Sequence, residues 1–245
     1  MRFLLVFLMF LPLFAQESKE IYATFNIVAL KSSTLSLASS GVVEEIFSDV
    51  GNIHKKGDKL LSLKNGDLLQ NLKSAFASFN ALSKKYEFST QQFLRYEKSK
   101  EAIDLNTYEK IKAEKESLFY ELKRAEANYK LQKELYDKTF LYAPYEGIVT
   151  YKYIEIGEGV GAISTKLFSY ESLEKKALIE FDSKYFTQVK KGDKFYYKIE
   201  GKEGLKPLVI SKIYPAIIGK KAIAEARFEE EIASGIFGDG FIREK

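Results

Sequence analysis

Residues 67–98 read DLLQNLKSAFASFNALSKKYEFSTQQFLRYEK and residues 107–138 read TYEKIKAEKESLFYELKRAEANYKLQKELYDK, and from Asp67 to Lys138 there is neither proline nor glycine. The span is rich in Leu, Lys, Glu and Ala, which suits long helices. In the first stretch Leu68, Leu72, Ala75, Phe79, Leu82, Tyr86, Ser89, Phe93 and Tyr96 fall at alternating steps of four and three, a heptad seam. In the second, Tyr108, Ile111, Lys115, Leu118, Leu122, Ala125 and Tyr129 repeat it, with a polar break at Lys115 and a drift near Leu131 and Leu135. Both seams lose register at Ala102-Ile103-Asp104-Leu105-Asn106-Thr107, where Asp104, Asn106 or Thr107 can cap a second helix. Two heptad helices so joined should fold back as an antiparallel hairpin. Arms of about 30 to 35 residues would make a rod of roughly 45 to 50 Å. Because each seam buries one stripe only, the rod is expected to project from a body and not to pack into it as a bundle.

The flanks describe that body. Gly41, Val42, Val43, Val50 and Gly51 before the hairpin map onto Gly147, Ile148, Val149, Ile156 and Gly157 after it, at a constant offset of 106 positions. Each copy has short Val/Ile/Leu runs punctuated by glycine, including Gly57 in the first and Gly159 in the second. Each reads as half of a small β-sandwich with the hairpin inserted between halves. Beyond lies a third module. Phe195, Tyr197 and Ile199 alternate with polar neighbours, as do Ala222 to Phe228 and Ile21 to Ala29, the period of half-buried antiparallel strands. The expected fold class is α+β, an elongated chain of a β-barrel (20–36 plus 174–245), a β-sandwich (37–66 plus 140–173) and a helical hairpin (67–139).

Composition excludes much chemistry. The net charge of +4 on 245 residues is spread without a Lys/Arg stripe, so nucleic acid is not an expected partner. There is no cysteine, and both methionines, Met1 and Met9, lie in the N-terminal segment. With one histidine, His54, no metal site is expected. Beside Lys55 and Lys56 it reads as an exposed turn residue. No nucleophile elbow, phosphate loop or Ser/His/Asp set stands out, so no catalytic residue is expected. Gly157-Glu158-Gly159-Val160-Gly161 follows a β half-motif and precedes no helix, so it reads as a turn between strands. The N-terminus, Arg2, then apolar Phe3 to Phe14, then Ala15 before a polar stretch, reads as a secretory signal over 1–15, with an uncleaved anchor as its rival.

The two half-motifs, Ser40-Gly41-Val42-Val43 through Lys56-Gly57-Asp58-Lys59-Leu60 and Leu141-Tyr142-Ala143-Pro144 through Gly157-Glu158-Gly159-Val160, resemble those of the membrane fusion protein family, the periplasmic adaptors of resistance-nodulation-division efflux pumps and related exporters. Phe181-Asp182, Val189-Lys190-Lys191-Gly192-Asp193-Lys194 and Gly240-Phe241 resemble the family's barrel signature, and the similarity runs from about Tyr22 to Phe241. The resemblance implies a lipoyl-like sandwich and a periplasmic protein held at the inner membrane by its partners. Those partners would be an inner-membrane efflux transporter, an outer-membrane channel and two or five further copies of itself, giving a trimer or hexamer. No cofactor is implied: lipoyl and biotinyl carriers share the half-motif, but Lys64, at the matching edge, lacks their flanking residues and reads as a boundary residue. The family often has a further membrane-proximal β domain, for which this sequence leaves no residues after the barrel. Its hairpin tip carries an Arg, a Leu four residues on, and a Ser near the start of the second helix. Here Arg95 matches, Ser99 stands where Leu is expected, and the Ser position falls on Asp104 or Asn106 according to the spacing used.

Overall fold

The computed structural model describes residues 20–99, 101, 103–199, 207–230 and 232–244. The expected signal at 1–15 and Ala102 of the expected hairpin joint lie outside these. In chain order the elements are β1 Ile21–Ala29, β2 Ser32–Leu35, β3 Gly41–Ile46, β4 Ile53–His54, β5 Lys59–Leu63, α1 Gly66–Lys98 and α2 Leu105–Asp137. There follow β6 Phe140–Tyr142, β7 Gly147–Lys152, β8 Gly159–Val160, β9 Phe168–Ser172, β10 Lys175–Asp182, β11 Lys194–Lys198, β12 Leu208–Ile213, β13 Lys221–Phe228 and β14 Phe237–Arg243. They form two compact units, one holding the chain up to Lys31 and from Leu173, the other Ser32–Ser172.

The first unit is a closed antiparallel barrel in the order β1-β10-β13-β12-β11-β14. Strict alternation sends Ile21, Ala23, Phe25, Ile27 and Ala29 of β1 inward, with Ala177, Ile179 and Phe181 of β10 and Ala222, Ala224, Ala226 and Phe228 of β13. A small barrel is filled by its own side chains, and small residues must offset large ones. The alanines leave room for Phe25, whose ring meets Phe195 at 5.5 Å and Tyr197 at 5.3 Å, edge to face. On the outside, Lys176 of β10 and Tyr214 both bond Glu225 of β13, at 3.0 and 2.7 Å. Burial pushes the Glu225 carboxyl upward, but its bonds to Tyr214 and Lys176 outweigh this and hold it below the usual carboxylate range.

The second unit contains two four-stranded sheets, β2-β9-β7-β4 and β6-β5-β3-β8, each drawing two strands from either side of the helices. Their inner faces share one core, in which Val43, Leu60, Leu61 and Leu63 from the first half meet Leu141, Val149, Leu167, Phe168 and Tyr170 from the second. The repeat seen in sequence is a pseudo-two-fold in hydrogen bonding. Gly51 N–H donates to the Val149 carbonyl at 2.8 Å and Gly157 N–H donates to the Val43 carbonyl at 3.0 Å. Val43 N–H donates to Glu158 and Val149 N–H to Asn52, again positions related by the same offset. Even the register shifts coincide, between Val43 and Glu45 in β3 and between Val149 and Tyr151 in β7. The body is therefore one sandwich whose halves complete each other.

Three expectations change. Residues 32–36, grouped with the barrel in the expected boundaries, begin instead with β2, which pairs with β9 in the sandwich from Ser32↔Glu171 to Leu35↔Phe168. Of the glycines read as turn residues, Gly51, Gly57 and Gly157 do sit at φ of 89°, 91° and 90°, but Gly41, Gly147 and Gly159 lie inside β3, β7 and β8. At Gly147 the requirement is space, because a Cβ would strike the Glu171 carbonyl and come within 2.9 Å of the Tyr170 ring. Finally, His54 is not an exposed turn residue. It ends β4 with its side chain 13% exposed and Nε2 2.7 Å from Ser48 Oγ.

Candidate functional site

Both helices are 33 residues long and antiparallel, joined through 99–104. All nine seam positions of α1 are buried or half-buried, and in α2 the heptad runs on past Tyr129 through half-buried Gln132 and Tyr136. The expected drift at Leu131 and Leu135 is absent, for both leucines are exposed. Glutamine at a seam position hid the continuation. Aromatic pairs knit the two arms at Phe79–Tyr129, Tyr86–Phe119 and Phe93–Tyr108, with centroids 5.8 to 5.9 Å apart. The polar break is filled too: Lys115 places its ammonium 4.3 Å from the centre of the Phe93 ring.

The base of the hairpin is fixed where it leaves the sandwich. Asn65 Nδ2 donates to Thr139 Oγ1 at 3.0 Å, Thr139 Oγ1 donates to the Tyr136 carbonyl at 2.7 Å, and Leu63 N–H donates to the Thr139 carbonyl at 2.9 Å. Lys64, between β5 and α1, donates its N–H to Val42 at 2.9 Å and lies on no turn tip. Along the outer faces, Glu126 accepts from Lys130 at 2.7 Å and Lys123 at 3.0 Å, and these bonds hold its carboxyl below the ordinary range. Such exposed pairs add little to stability and mark a solvated face.

At the tip, α1 ends with Arg95 in its last turn and Ser99 as C-cap, whose N–H donates to the Tyr96 carbonyl at 3.1 Å. Asp104 is the N-cap of α2. Its Oδ2 accepts from Thr107 N–H at 3.1 Å, the side-chain cap that fixes where the chain turns back. Asn106 lies in the first turn of α2, and Arg95, Ser99, Asp104 and Asn106 are all exposed. The fold thus carries these four residues to one end of the hairpin. Asp104 is partly committed to capping, whereas Arg95 and Asn106 face solvent off the seam. Sequence reading missed Leu94 and Leu105, exposed apolar residues at the same end, 49% and 62% accessible. Their signal was available: both are leucines outside the heptad seam.

Ser48, His54 and Asp58 also come together, which the sequence did not suggest. The cluster lacks the geometry of a nucleophilic triad. Ser48 is buried, His54 Nδ1 is 3.9 Å from Asp58 Oδ2, and that oxygen already accepts the Lys55 N–H at 2.8 Å. Its role is to hold the turn before β5. Among the described residues no group of three or more His, Cys, Asp or Glu is placed to hold a metal ion, and no helix is long and apolar enough to cross a membrane.

No protein-family model matches the sequence, and no curated protein matches it either. Solved structures do. MacA from Actinobacillus actinomycetemcomitans is similar over 92% of this chain and 78% of its own, at 19% identity and a TM-score of 0.72. The membrane fusion protein Spr0693 from Streptococcus pneumoniae R6 matches 92% of this chain and 99% of its own, at 15% identity and a TM-score of 0.71. A MacA-MexA chimera containing the Pseudomonas aeruginosa MexA α-hairpin domain matches over 92% and 82%, at 18% identity and a TM-score of 0.69. Barrel, split sandwich and inserted hairpin are therefore those of a known architecture, and this chain has the membrane fusion protein fold.

Proposed function

We propose that this chain is a periplasmic adaptor of a tripartite efflux pump. It would link an inner-membrane transporter, of the resistance-nodulation-division type as the first choice, to an outer-membrane channel. The observation that carries the reading is the insertion of a capped, two-helix hairpin between reciprocal halves of one sandwich, in a chain with the fold of a membrane fusion protein. In this reading the barrel, the lipoyl-like sandwich and the hairpin are the modules of the adaptor, and three or six copies line a conduit. Arg95, Ser99, Asp104 and Asn106 meet the channel, with polar contacts setting register more than affinity. No bond is made or broken by the adaptor. An adaptor for an ABC-type or type I exporter has the same tip requirements and is the second reading. A purely structural coiled-coil envelope protein would not need the split sandwich.

The test is Arg95→Asp in the producing cell. Expected are loss of efflux-dependent resistance and loss of a channel from the proteins co-purified after envelope cross-linking, with far-UV circular dichroism unchanged. Full resistance at normal expression would refute the tip assignment. Recovery of neither a transporter nor a channel with the unaltered chain would refute the adaptor reading itself.

A further inference from the structure

One end of the barrel has a composition that its interior does not require. Register places there the start of β1 (Ile21↔Ile242), the start of β11 beside the end of β14 (Lys194↔Arg243), and the end of β10 beside the start of β13 (Asp182↔Lys221). The connection from β12 to β13 forms the tip of this end. Ile218 and Lys221 exchange both backbone hydrogen bonds, N–H to carbonyl, at 3.0 and 2.9 Å, around Gly219 at φ 56° and Lys220 at φ 66°. This is a tight turn with both central residues left-handed, and a lysine there is uncommon. The Lys220 carbonyl accepts the Ser183 N–H at 3.0 Å, which pins the turn to the chain after β10. The tip is thus closed by its own hydrogen bonds, yet it holds Ile217 49% and Ile218 68% exposed. Two adjacent isoleucines on a pinned turn have no fold reason to face water, and their burial is left to a partner.

The charges around them say which partner. The acids Glu20, Glu180 and Asp182 are paired with Arg243, Lys221 and Lys184 respectively, and Asp193 is buried, holding the Lys190 N–H at 2.7 Å. Among the described residues Lys190, Lys191, Lys194 and Lys220 are exposed and form no ion pair, while Glu244 adds one exposed acid. An apolar tip ringed by lysines whose long stems can lie along an apolar surface suits the interface of an anionic bilayer, where the isoleucines enter the acyl boundary and the ammonium groups meet phosphates. The chain also reaches this end, at Ile21, with six residues between it and the apolar run Phe3 to Phe14. We propose that this end of the barrel docks on an anionic phospholipid surface, with Ile217 and Ile218 as the inserted residues and Lys190, Lys191, Lys194 and Lys220 as the headgroup contacts. The placement does not depend on what the hairpin tip binds.

The sequence has no tryptophan, so Ile218→Trp is a single reporter. The full chain carrying it is mixed with vesicles of phosphatidylglycerol and phosphatidylethanolamine, or of phosphatidylcholine alone. Expected are a blue shift of the emission and quenching by brominated acyl chains with the anionic vesicles, both reduced at high salt. In sedimentation with the same vesicles, Ile217→Ser/Ile218→Ser should weaken binding by about tenfold or more, and Lys190→Gln/Lys191→Gln/Lys194→Gln, which leaves only Lys220 of the four, should sharply reduce its salt dependence. Residues 3–14 are untouched in every variant, so binding through that segment cancels. Unshifted emission with anionic vesicles overturns the proposal, as does sedimentation unaffected by the isoleucine pair while melting is unchanged. A blue shift seen only when a detergent-solubilised transporter is added overturns it in favour of a protein socket. Equal binding to both vesicle types overturns the role of the lysines.

Discussion

Lys115 holds its ammonium 4.3 Å from the centre of the Phe93 ring, at the one seam position of the two central helices where a lysine replaces an apolar residue. Phe93 is buried and also meets Tyr108, so the lysine covers the last aromatic contact before the tip. A cation over a partly desolvated ring contributes about 0.5–2 kcal/mol. Lys115→Glu should lower the melting temperature of the helical signal at 222 nm by several degrees. Lys115→Leu, which completes the seam, should match or exceed the parent. A Leu variant that melts well below it would show that the charge is required.

The clamp at the base gives a different expectation. Asn65→Ala leaves the Thr139 hydroxyl without its donor and removes a bond worth about 1 kcal/mol. Because the seam above is untouched, amide exchange should quicken in the first turn of α1 and the last turn of α2 and stay unchanged near Phe93. Uniform acceleration along both arms would contradict a local role.

Gly147 and Gly159 each open a strand of the sandwich but answer to different constraints. Gly147→Ala drives a methyl into the Glu171 carbonyl and the Tyr170 ring, an overpacking that costs about 1–3 kcal/mol. Gly159→Ala meets open space at an ordinary φ and should be neutral within about 0.5 kcal/mol in urea unfolding. Equal losses at the two sites would refute the steric account.

Acid sensitivity of the barrel should trace in part to Glu225. Its folded pKa is depressed, so the stability it contributes is present above the ordinary carboxylate pKa and is lost as pH falls through the lower folded value. Lys176, raised by its bonds to Glu225 against the opposing effect of burial, contributes below the ordinary lysine pKa and loses that contribution only as pH rises through its raised value. Melting between about pH 5 and pH 2 should therefore fall less steeply for Glu225→Gln than for the parent. An identical slope would mean that other carboxylates carry the effect.

At the tip, Leu105→Asp should reduce recovery of the channel in cross-linked envelopes by severalfold while the helical signal stays constant, since Leu105 is exposed and off the seam. Normal recovery would confine the contact to polar residues.

The helices could be read from residues because their periodicity is local and uninterrupted by proline or glycine. The repeat could be read because β3 and β7 place Val43 and Val149 in the same buried position. What escaped was set by contacts distant in sequence. Residues 32–35 show no pattern that separates barrel from sandwich, and β9, more than 130 positions on, decides the matter. The seam after Tyr129 looked like a drift toward Leu131 and Leu135 because the seam tolerates an amide, Gln132, that a hydropathy pattern passes over. His54 looked like a turn residue among lysines, yet its ring is covered once Ser48 folds against it. At the tip the polar residues were found from a resemblance, while Leu94 and Leu105 needed the seam to be known before their exposure had meaning.

The reciprocal bonds from Gly51 to Val149 and from Gly157 to Val43 also order events during folding. When the first half of the sandwich emerges ahead of the second, the carbonyls and amides it needs are still about a hundred residues behind. Helix pairing through neighbouring turns is fast, whereas joining distant strands is slow. The hairpin can therefore close first, and in closing it brings Asn65 to Thr139 and delivers the second half to the first. Until then β3 and β5 expose unpaired edges, a state in which chaperone protection matters most. The inserted helices thus serve as an assembly jig for the sheet pair before they serve as anything else.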